Sequence, residues 1–396
     1  MAKERENRID LLRGLSLLLI FVGHANFTFS EAFQQARGFS DASEIFVLLA
    51  GVSAALAYYR PREAGWQASR PLRRAGRLYV VHLAMFATMA LVAGLALVKG
   101  GRLGDTVVQS LYIADFWKDP LGFGGRALAL AYMPGNLDIL PMYVVLIAAA
   151  PLIFRLHDRS KVALAAVSVT VWLVSGLGHI NLPNAASENG RWYFDPLSWQ
   201  IIFVAGIVIG IRMKTGLSVL PYNRLVFRAA AAFALAAIPV NLLFHFGLVE
   251  PPLPVLYDAM ISKTNSGILR LMNMMAILYL AWNLPLVKQA AAHPALALVC
   301  AAGRHSLPVF VLGVALSELA TIAMLSVPDL PIVSQLAMAI LGCAVQLMLA
   351  QRLAEKRRQP AALPPQTDRD VLKARIARLH ETRLRAPRPS PLEHRP

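Results

Sequence analysis

The sequence predicts an all-α polytopic integral membrane protein with about ten transmembrane helices and both termini in the cytoplasm. Composition is the first reason, because hydrophobic residues make up 57% of the chain and charged residues only 16%. A water-soluble protein cannot shield that much apolar surface from water. The second reason is that the apolar residues form runs long enough to cross a bilayer. The third is that the loops between alternate runs collect the positive charges.

Ten predicted spans follow from runs of about 17–25 apolar residues. In chain order they cover residues 9–29, 41–59, 77–98, 137–155, 161–178, 197–213, 224–246, 267–286, 305–326 and 331–352. Residues 103–135 are also apolar, but three aspartates and several glycines interrupt them. This stretch is therefore predicted to be a re-entrant or surface element.

The distribution of arginine and lysine sets the predicted orientation. The loop before the third span carries a cluster of arginines, whereas residues 99–136 and 179–197 carry few cations. This pattern places both termini on the cytoplasmic side. It also accounts for the net charge of +16 without a nucleic-acid partner, so none is expected.

The first span carries the strongest functional signal, a histidine inside an apolar run. Arg13 and His24 are eleven positions apart, which places them on one helical face and about 16 Å apart along the axis. An ionisable group at membrane depth costs roughly 2.5–3.5 kcal/mol and by default marks a functional site. His24 is therefore the leading candidate for a functional residue.

Polar residues at the depth of His24 predict a sugar site, because carboxylates and amides bind hydroxyls and aromatic rings pack on pyranose faces. The residues concerned open the even-numbered spans: Asp41 and Glu44 in the second, Asn136 and Asp138 in the fourth, Trp199 and Gln200 in the sixth, and Asn265, Ser266, Arg270 and Asn273 in the eighth. Alternatively, Asp41 and Asp138 cap helices, and Trp199 is an anchor at the membrane interface.

A second polar layer lies near the predicted cytoplasmic face and indicates an anion site. Its members are Arg13, Arg73, Arg74, Arg77, His82, Arg304, His305 and Ser306. Arginine suits phosphate through bidentate hydrogen bonds. Alternatively, the arginine cluster reflects membrane topology alone, and His305 is structural.

The remaining features predict neither a metal site nor a disulfide. Cys300 and Cys343 lie in separate apolar runs, and no zinc-spaced cluster is present. Residues 1–352 are predicted to form the membrane domain, and residues 353–396 a basic Pro/Arg-rich cytoplasmic tail. Part of that tail is either an amphipathic helix on the inner leaflet or a disordered segment.

Five segments carry a family resemblance: RIDLLRGLSLLLIFVGH, GFSDASEIFVLLAGVSAALAY, LDILPMYVVLIAAAP, DPLSWQIIFVAGIVIG and GRHSLPVFVLG. On the basis of these segments, the sequence resembles the OpgC family of membrane succinyltransferases. Members of this family modify osmoregulated periplasmic glucans, and the family looks like a relative of the acyltransferase-3 proteins. Arg13 and His24 fit the arginine–ten residues–histidine motif of the latter. The segments run from the first span to the ninth.

The resemblance implies a bacterial inner-membrane acyltransferase with cytoplasmic acyl-CoA, most specifically succinyl-CoA, as donor and a periplasmic β-glucan as acceptor. His24 would take the place of the catalytic histidine, as general base or acyl relay, and Arg13 that of the motif arginine. We expect Asp41 or Glu44 to orient the ring of His24, the inner arginines to bind the CoA phosphates, and Asp138, Trp199 and Gln200 to hold the glucan. Arg270 is the predicted partner of the succinyl carboxylate.

Two other functions are compatible with the residues themselves. A transporter or flippase without covalent chemistry would also carry intramembrane His, Asp and Glu. An acetyltransferase acting on another envelope glycan would keep the chemistry and change the substrate. Dependence on an acyl-CoA donor separates the transporter from both enzymes.

Overall fold

The computed structural model describes residues 6–60, 68–327 and 329–358. These residues form helices joined by turns and loops, with one isolated β-bridge and no named strand among them. The chain divides into the units 1–351 and 352–396, and only residues 352–358 of the second unit are among those described. The α-helices of the described residues are, in chain order, α1 (Asn7–His24), α2 (Ser30–Gln35), α3 (Ala42–Tyr58), α4 (Ser69–Lys99), α5 (Gly101–Ser110), α6 (Ala114–Lys118), α7 (Pro120–Leu128), α8 (Ile139–Arg159), α9 (Lys161–Gly178), α10 (Pro196–Lys214), α11 (Arg224–His245), α12 (Pro254–Ile261), α13 (Ile268–Asn283), α14 (Pro285–Ala292), α15 (Ala297–Arg304), α16 (Ser306–Ser326) and α17 (Ile332–Arg358).

The prediction of an all-α polytopic membrane protein is confirmed. Within the described residues, seven helices are long and apolar enough to cross a membrane, and α13 and α14, bent by 70°, make up to eight. The seven do not include the helices of the first two predicted spans. The first span corresponds to α1, which carries the charged residues Arg8, Asp10 and Arg13. The second corresponds to α3, which has only 17 residues. The count of ten and the side on which the termini lie stay predictions.

The first helix ends earlier than the apolar run predicts. We expected a span to residue 29, but α1 ends at His24 and a separate helix, α2, begins at Ser30. Asn26 has a left-handed backbone (φ 53°), a conformation that asparagine tolerates and that commonly terminates helices. His24 is therefore the last residue of a helix rather than a residue inside one.

Glycines let the central helices approach at backbone distance. A Cβ on Gly206 of α10 would lie 2.0 Å from the carbonyl oxygen of Leu48 in α3, and one on Gly14 of α1 would lie 2.0 Å from that of Val299 in α15. Small residues at such contacts are typical of helix pairs in membranes. The central helices α1, α3 and α10 are thus held where they carry the site residues.

The peripheral helices expose apolar side chains. Val162 of α9 is 79% exposed and Leu225 of α11 is 78% exposed. Exposed apolar side chains of this kind suit contact with lipid.

Residues 103–135, predicted not to be a span, form short helices instead. The apolar side of α5 and the loop after α7 pack on α4, where Phe86 and Tyr132 share a cluster with Val108 and Leu111. Whether this stretch enters the membrane stays a prediction.

Candidate functional site

His24 lies in the wall of two cavities. The first, the lysine cavity, has a volume of about 780 Å³ and is lined by His24, Asp41, Tyr193, Lys263 and Arg270, among others. The second, the amide cavity, has a volume of about 1130 Å³. His24, Asn26 and Tyr193 line both. The imidazole of His24 can therefore contact groups bound in either cavity.

The tautomer of His24 follows from its hydrogen bond. Its Nδ1 lies 2.8 Å from the carbonyl oxygen of Ile20, four residues earlier in α1. A carbonyl oxygen only accepts, so Nδ1 carries the proton, and in the neutral ring Nε2 holds a lone pair. Nε2 is thus available as a base.

The short helix α2 fixes the end of α1 on which His24 sits. Ser30 Oγ donates to the carbonyl oxygen of Val22 at 2.6 Å, and Gln34 Nε2 donates to that of Gly23 at 2.6 Å. Carbonyls in the last turn of a helix lack partners within it. Two of them are satisfied here by α2, which holds the histidine in place.

The predicted orienting acid is not found at the ring. We expected Asp41 or Glu44 to hold His24, but the partner of Nδ1 is the Ile20 carbonyl, and both carboxylates bind cations instead. The reason is that α13 and the loop before it bring Arg270 and Lys263 to the start of α3. A carboxylate is attracted more strongly by a cation than by a neutral imidazole.

The carboxylates and cations form a compact cluster at the N-terminus of α3. Arg270 lies 2.5 Å from Glu44 Oε1 and 3.2 Å from Asp41 Oδ2, and Lys263 Nζ lies 2.7 Å from the same Asp41 oxygen. Asp41 also accepts from the backbone N–H of Ser43, and Glu44 from that of Asp41, which forms a capping box. The cap that the position of Asp41 suggested is therefore present, and Arg270 faces the lysine cavity with two carboxylates beside it.

Lys263 is a site residue that the sequence interpretation missed. Two indole N–H groups hold its loop from behind: Trp199 donates to the carbonyl oxygen of Lys263 at 2.9 Å, and Trp172 to those of Asn265 and Ser266 at 3.2 and 3.1 Å. Burial lowers the pKa of the Lys263 ammonium, but Asp41, Tyr193 and Glu44 together outweigh burial and raise that pKa above its ordinary value. Lys263 is therefore a fixed cation in the cavity wall. The polar start of the eighth predicted span was the signal for it.

The amide cavity differs in its chemistry. The residues that line it, as far as the structure describes them, include no lysine or arginine. Its polar side chains are the amides of Asn26, Gln109, Asn136, Asn184 and Asn189, the carboxyl groups of Asp115, Asp138, Glu188 and Glu318, and hydroxyl groups of serine, threonine and tyrosine. This lining suits an uncharged molecule with many hydroxyl groups.

Of two acidic residues in the wall of the amide cavity, the sequence predicted one as a site residue and missed the other. Asp138, a predicted substrate residue, lines the cavity, and its side chain makes no capping hydrogen bond to α8. Glu318 on α16, which the sequence interpretation missed, accepts a hydrogen bond from Asn136 Nδ2 at 2.9 Å. A lone acid in the ninth apolar run was the available signal, because such residues are costly in a membrane.

Trp199 and Gln200 do not line either His24 cavity. Trp199 is fully buried and holds the Lys263 loop, so it is also not an exposed interface anchor. Gln200 exchanges two hydrogen bonds of 2.7 Å with Ser168 on α9. Both side chains are engaged by other parts of the protein, and their predicted contacts with a glucan stay predictions.

A third cavity lies beside Arg13, on the same helix as His24 but toward its start. This arginine cavity has a volume of about 210 Å³, and Arg13, Arg74, Tyr143 and Ser306 are among the residues that line it. Arg13 donates to the carbonyl oxygen of Leu49 at 2.5 Å and to Ser53 Oγ. Two of the predicted phosphate-binding arginines thus meet at one cavity.

The other predicted members of the anion site lie elsewhere. Arg73 and Arg77 are exposed on α4 and do not line the arginine cavity. Arg304 forms an ion pair with Asp10 at 3.0 Å, and His305 lies between α15 and α16. Of the predicted phosphate-binding arginines, Arg13 and Arg74 line the arginine cavity, and Ser306 of the same polar layer lines it with them.

No group of three or more His, Cys, Asp or Glu side chains that could hold a metal ion occurs in the described ranges.

Comparison with known protein families identifies a match over most of the chain. The family model described as OpgC protein matches residues 5–358, nearly the whole chain. No curated protein and no solved structure matches it.

Proposed function

Because the chain belongs to the OpgC family, membrane acyltransferases that modify glucans, we propose that it transfers a succinyl group from cytoplasmic succinyl-CoA to hydroxyl groups of a periplasmic β-glucan. The bacterial inner membrane is the compartment where both substrates are accessible to one chain. The single observation that carries the proposal is His24, whose basic Nε2 lies where two cavities of different chemistry meet.

In the proposed reaction His24 acts as general base. Nε2 takes the proton of a sugar hydroxyl while its oxygen attacks the thioester carbonyl carbon. The new C–O bond forms, the C–S bond breaks, and the departing thiolate receives the proton from the imidazolium. The carbonyl end of α1 carries a partial negative charge that stabilises this imidazolium. An acyl-histidine relay through the same nitrogen is the alternative route.

The donor would enter through the arginine cavity. Arg13 and Arg74 supply guanidinium groups for the CoA phosphates, and guanidinium binds phosphate with bidentate geometry. Arg13 lies about 16 Å from His24 along α1. The pantetheine arm of CoA would run along this helix and bring the thioester to His24.

The acceptor would occupy the amide cavity. Its amides and carboxyl groups, Asp138 and Glu318 among them, match the hydroxyl groups of a neutral sugar, and Tyr193 offers an aromatic ring next to His24. The carboxylate of the succinyl group would lie in the lysine cavity, which holds Lys263 and Arg270.

The experiment compares periplasmic glucans by mass spectrometry in a deletion strain complemented with wild type, His24→Asn or His179→Asn. Asparagine cannot act as the base, and His179 is an exposed histidine outside the cavities, so it serves as the matched control. We expect a succinyl mass increment with wild type and His179→Asn but none with His24→Asn at equal protein level. Unchanged substituents in the deletion strain would exclude the proposed reaction.

Donor dependence distinguishes the enzyme from a transporter. The purified protein in lipid nanodiscs should consume succinyl-CoA only when glucan is present. Movement of glucan across liposomes without any acyl-CoA, and without ester formation, would favour transport.

A further inference from the structure

The cavities on either side of His24 differ in charge. The lysine cavity is lined by the cations Lys263 and Arg270 and by the carboxylates of Asp41 and Glu31, whereas the described lining of the amide cavity contains carboxyl groups but no lysine or arginine. A molecule with one carboxylate and a molecule with only hydroxyl groups would therefore bind in different cavities, with His24 between them.

We propose that Lys263 is the residue that binds the free carboxylate of a dicarboxylic acyl group and thereby selects it over uncharged acyl groups. The inference rests on the proposed acyl transfer and adds a binding site for the distal end of the acyl chain. It assigns this role to Lys263 rather than to Arg270, which the sequence suggested.

The guanidinium group of Arg270 is already paired with two carboxylates of the protein. Its Nε and Nη2 contact Glu44, and Nη2 also contacts Asp41. Glu44 is fully buried and does not line the cavity, so Arg270, which does line it, is held from behind by this ion pair. A substrate carboxylate would have to compete with two fixed carboxylates for the same guanidinium group.

The ammonium group of Lys263 has more N–H donors than its contact with Asp41 uses. An ammonium group carries three N–H donors, and one of them faces Asp41 Oδ2, which lies 2.7 Å from Lys263 Nζ. The rings of Tyr193 and Phe194 lie 5.5 Å from Nζ and favour a charged ammonium. Asp41 thus fixes the lysine in place while leaving donors for a ligand in the cavity.

The balance of charge around Lys263 also favours an anion. Arg37, Lys263 and Arg270 bring three cations to Asp41 and Glu44, which are two carboxylates. Among the described residues, the buried Nη1 of Arg37 has no hydrogen-bond partner. A ligand carboxylate would supply the charge that this cluster of five lacks.

The loop geometry makes Lys263 suitable for substitution. The tryptophan contacts hold the loop through backbone carbonyl oxygens of Lys263, Asn265 and Ser266. They do not involve the lysine side chain. Lys263→Met keeps the length of the side chain and removes its charge, so we expect the loop to stay in position.

The test measures kcat/KM in nanodiscs with a β-glucan oligosaccharide and two donors, succinyl-CoA and butyryl-CoA, which have equally long acyl groups with and without a carboxylate. Lys263→Met should lower the succinyl value by about 10- to 100-fold, the effect of losing a charged hydrogen bond, and leave the butyryl value unchanged. Lys263→Arg should retain most succinyl transfer. Lys99→Met, at an exposed lysine ending α4, should change neither value.

Three results would overturn the inference. Equal loss of both donors in Lys263→Met would place the lysine in the chemistry or the structure. Unchanged succinyl transfer would remove it from recognition, and equal use of both donors by the wild type would mean that the acyl carboxylate is not recognised. Failure of the proposed function has a different signature, because the wild type would then transfer neither group.

Discussion

His24 owes its position to the backbone around it. Its Nδ1 proton goes to the Ile20 carbonyl at 2.8 Å, and Ser30 and Gln34 occupy the next carbonyls of the same turn. A ring held by its own helix needs no carboxylate partner to fix its tautomer. Asp41 and Glu44, which the sequence predicted to orient the ring, instead form ion pairs with Lys263 and Arg270.

Within this cluster, Glu44 and Asp41 should differ in their contribution to stability. Glu44 is fully buried against Arg270, and removing its charge leaves a buried guanidinium poorly matched. We expect Glu44→Gln to lower the free energy of unfolding by up to about 3 kcal/mol. Asp41→Asn should cost less, because asparagine is also a good N-cap. Thermal unfolding in detergent measures both.

A double-mutant cycle checks the physical reason. If the loss in Glu44→Gln comes from the unmatched Arg270, then Arg270→Met in the same chain should recover part of the stability. Additive losses in the double variant would show that the pair is not coupled.

At the scale of the helix, close packing through glycine sets where the site residues lie. A Cβ on Gly206 would lie 2.0 Å from the Leu48 carbonyl oxygen, so α3 and α10 would have to separate. Asp41 and Glu44 begin α3, and Trp199 on α10 holds the Lys263 loop. Separation of these helices would therefore disturb the cation cluster as well as the packing.

We expect Gly206→Val to destabilise the protein by about 1–3 kcal/mol, the usual cost of overpacking, and to reduce acyl transfer. Gly176→Val on α9 is the matched control, because the nearest atom to its Cβ lies at 3.9 Å. The measurements are thermal unfolding and transfer activity at equal protein level. Equal effects of the two variants would mean that helix propensity rather than contact with α3 matters.

At the scale of the whole molecule, the charge of the loops predicts the orientation in the membrane. Arginine-rich loops stay in the cytoplasm, so both termini and the entrance to the arginine cavity should face the cytoplasm. With α1 across the membrane, Arg13 would lie about three helical turns nearer the cytoplasm than His24.

Reporter fusions test this orientation. We expect green fluorescent protein fused after residue 358 to fluoresce, and alkaline phosphatase inserted near residue 186, between α9 and α10, to be active. An active phosphatase at the C-terminus would contradict the cytoplasmic location and the ten-span count with it.

The sequence alone determined the fold class and the family, because hydropathy and run length are local properties and the family segments extend along the chain. It also predicted that Arg13 and His24 lie on one helix, because their spacing needs no tertiary information, and both residues line cavities. It placed the end of α1 too late, since the apolar run continues past the left-handed Asn26.

The tertiary structure decided which polar residues meet. Arg270 and Glu44 are 226 positions apart in the chain, and Lys263 reaches Asp41 across a similar separation, so no local pattern pairs them. Trp199 and Gln200 have the right composition for a sugar site, but the packing of α10 turns them toward Lys263 and Ser168. Burial and pairing depend on which helix faces which, and that is settled only when the helices pack.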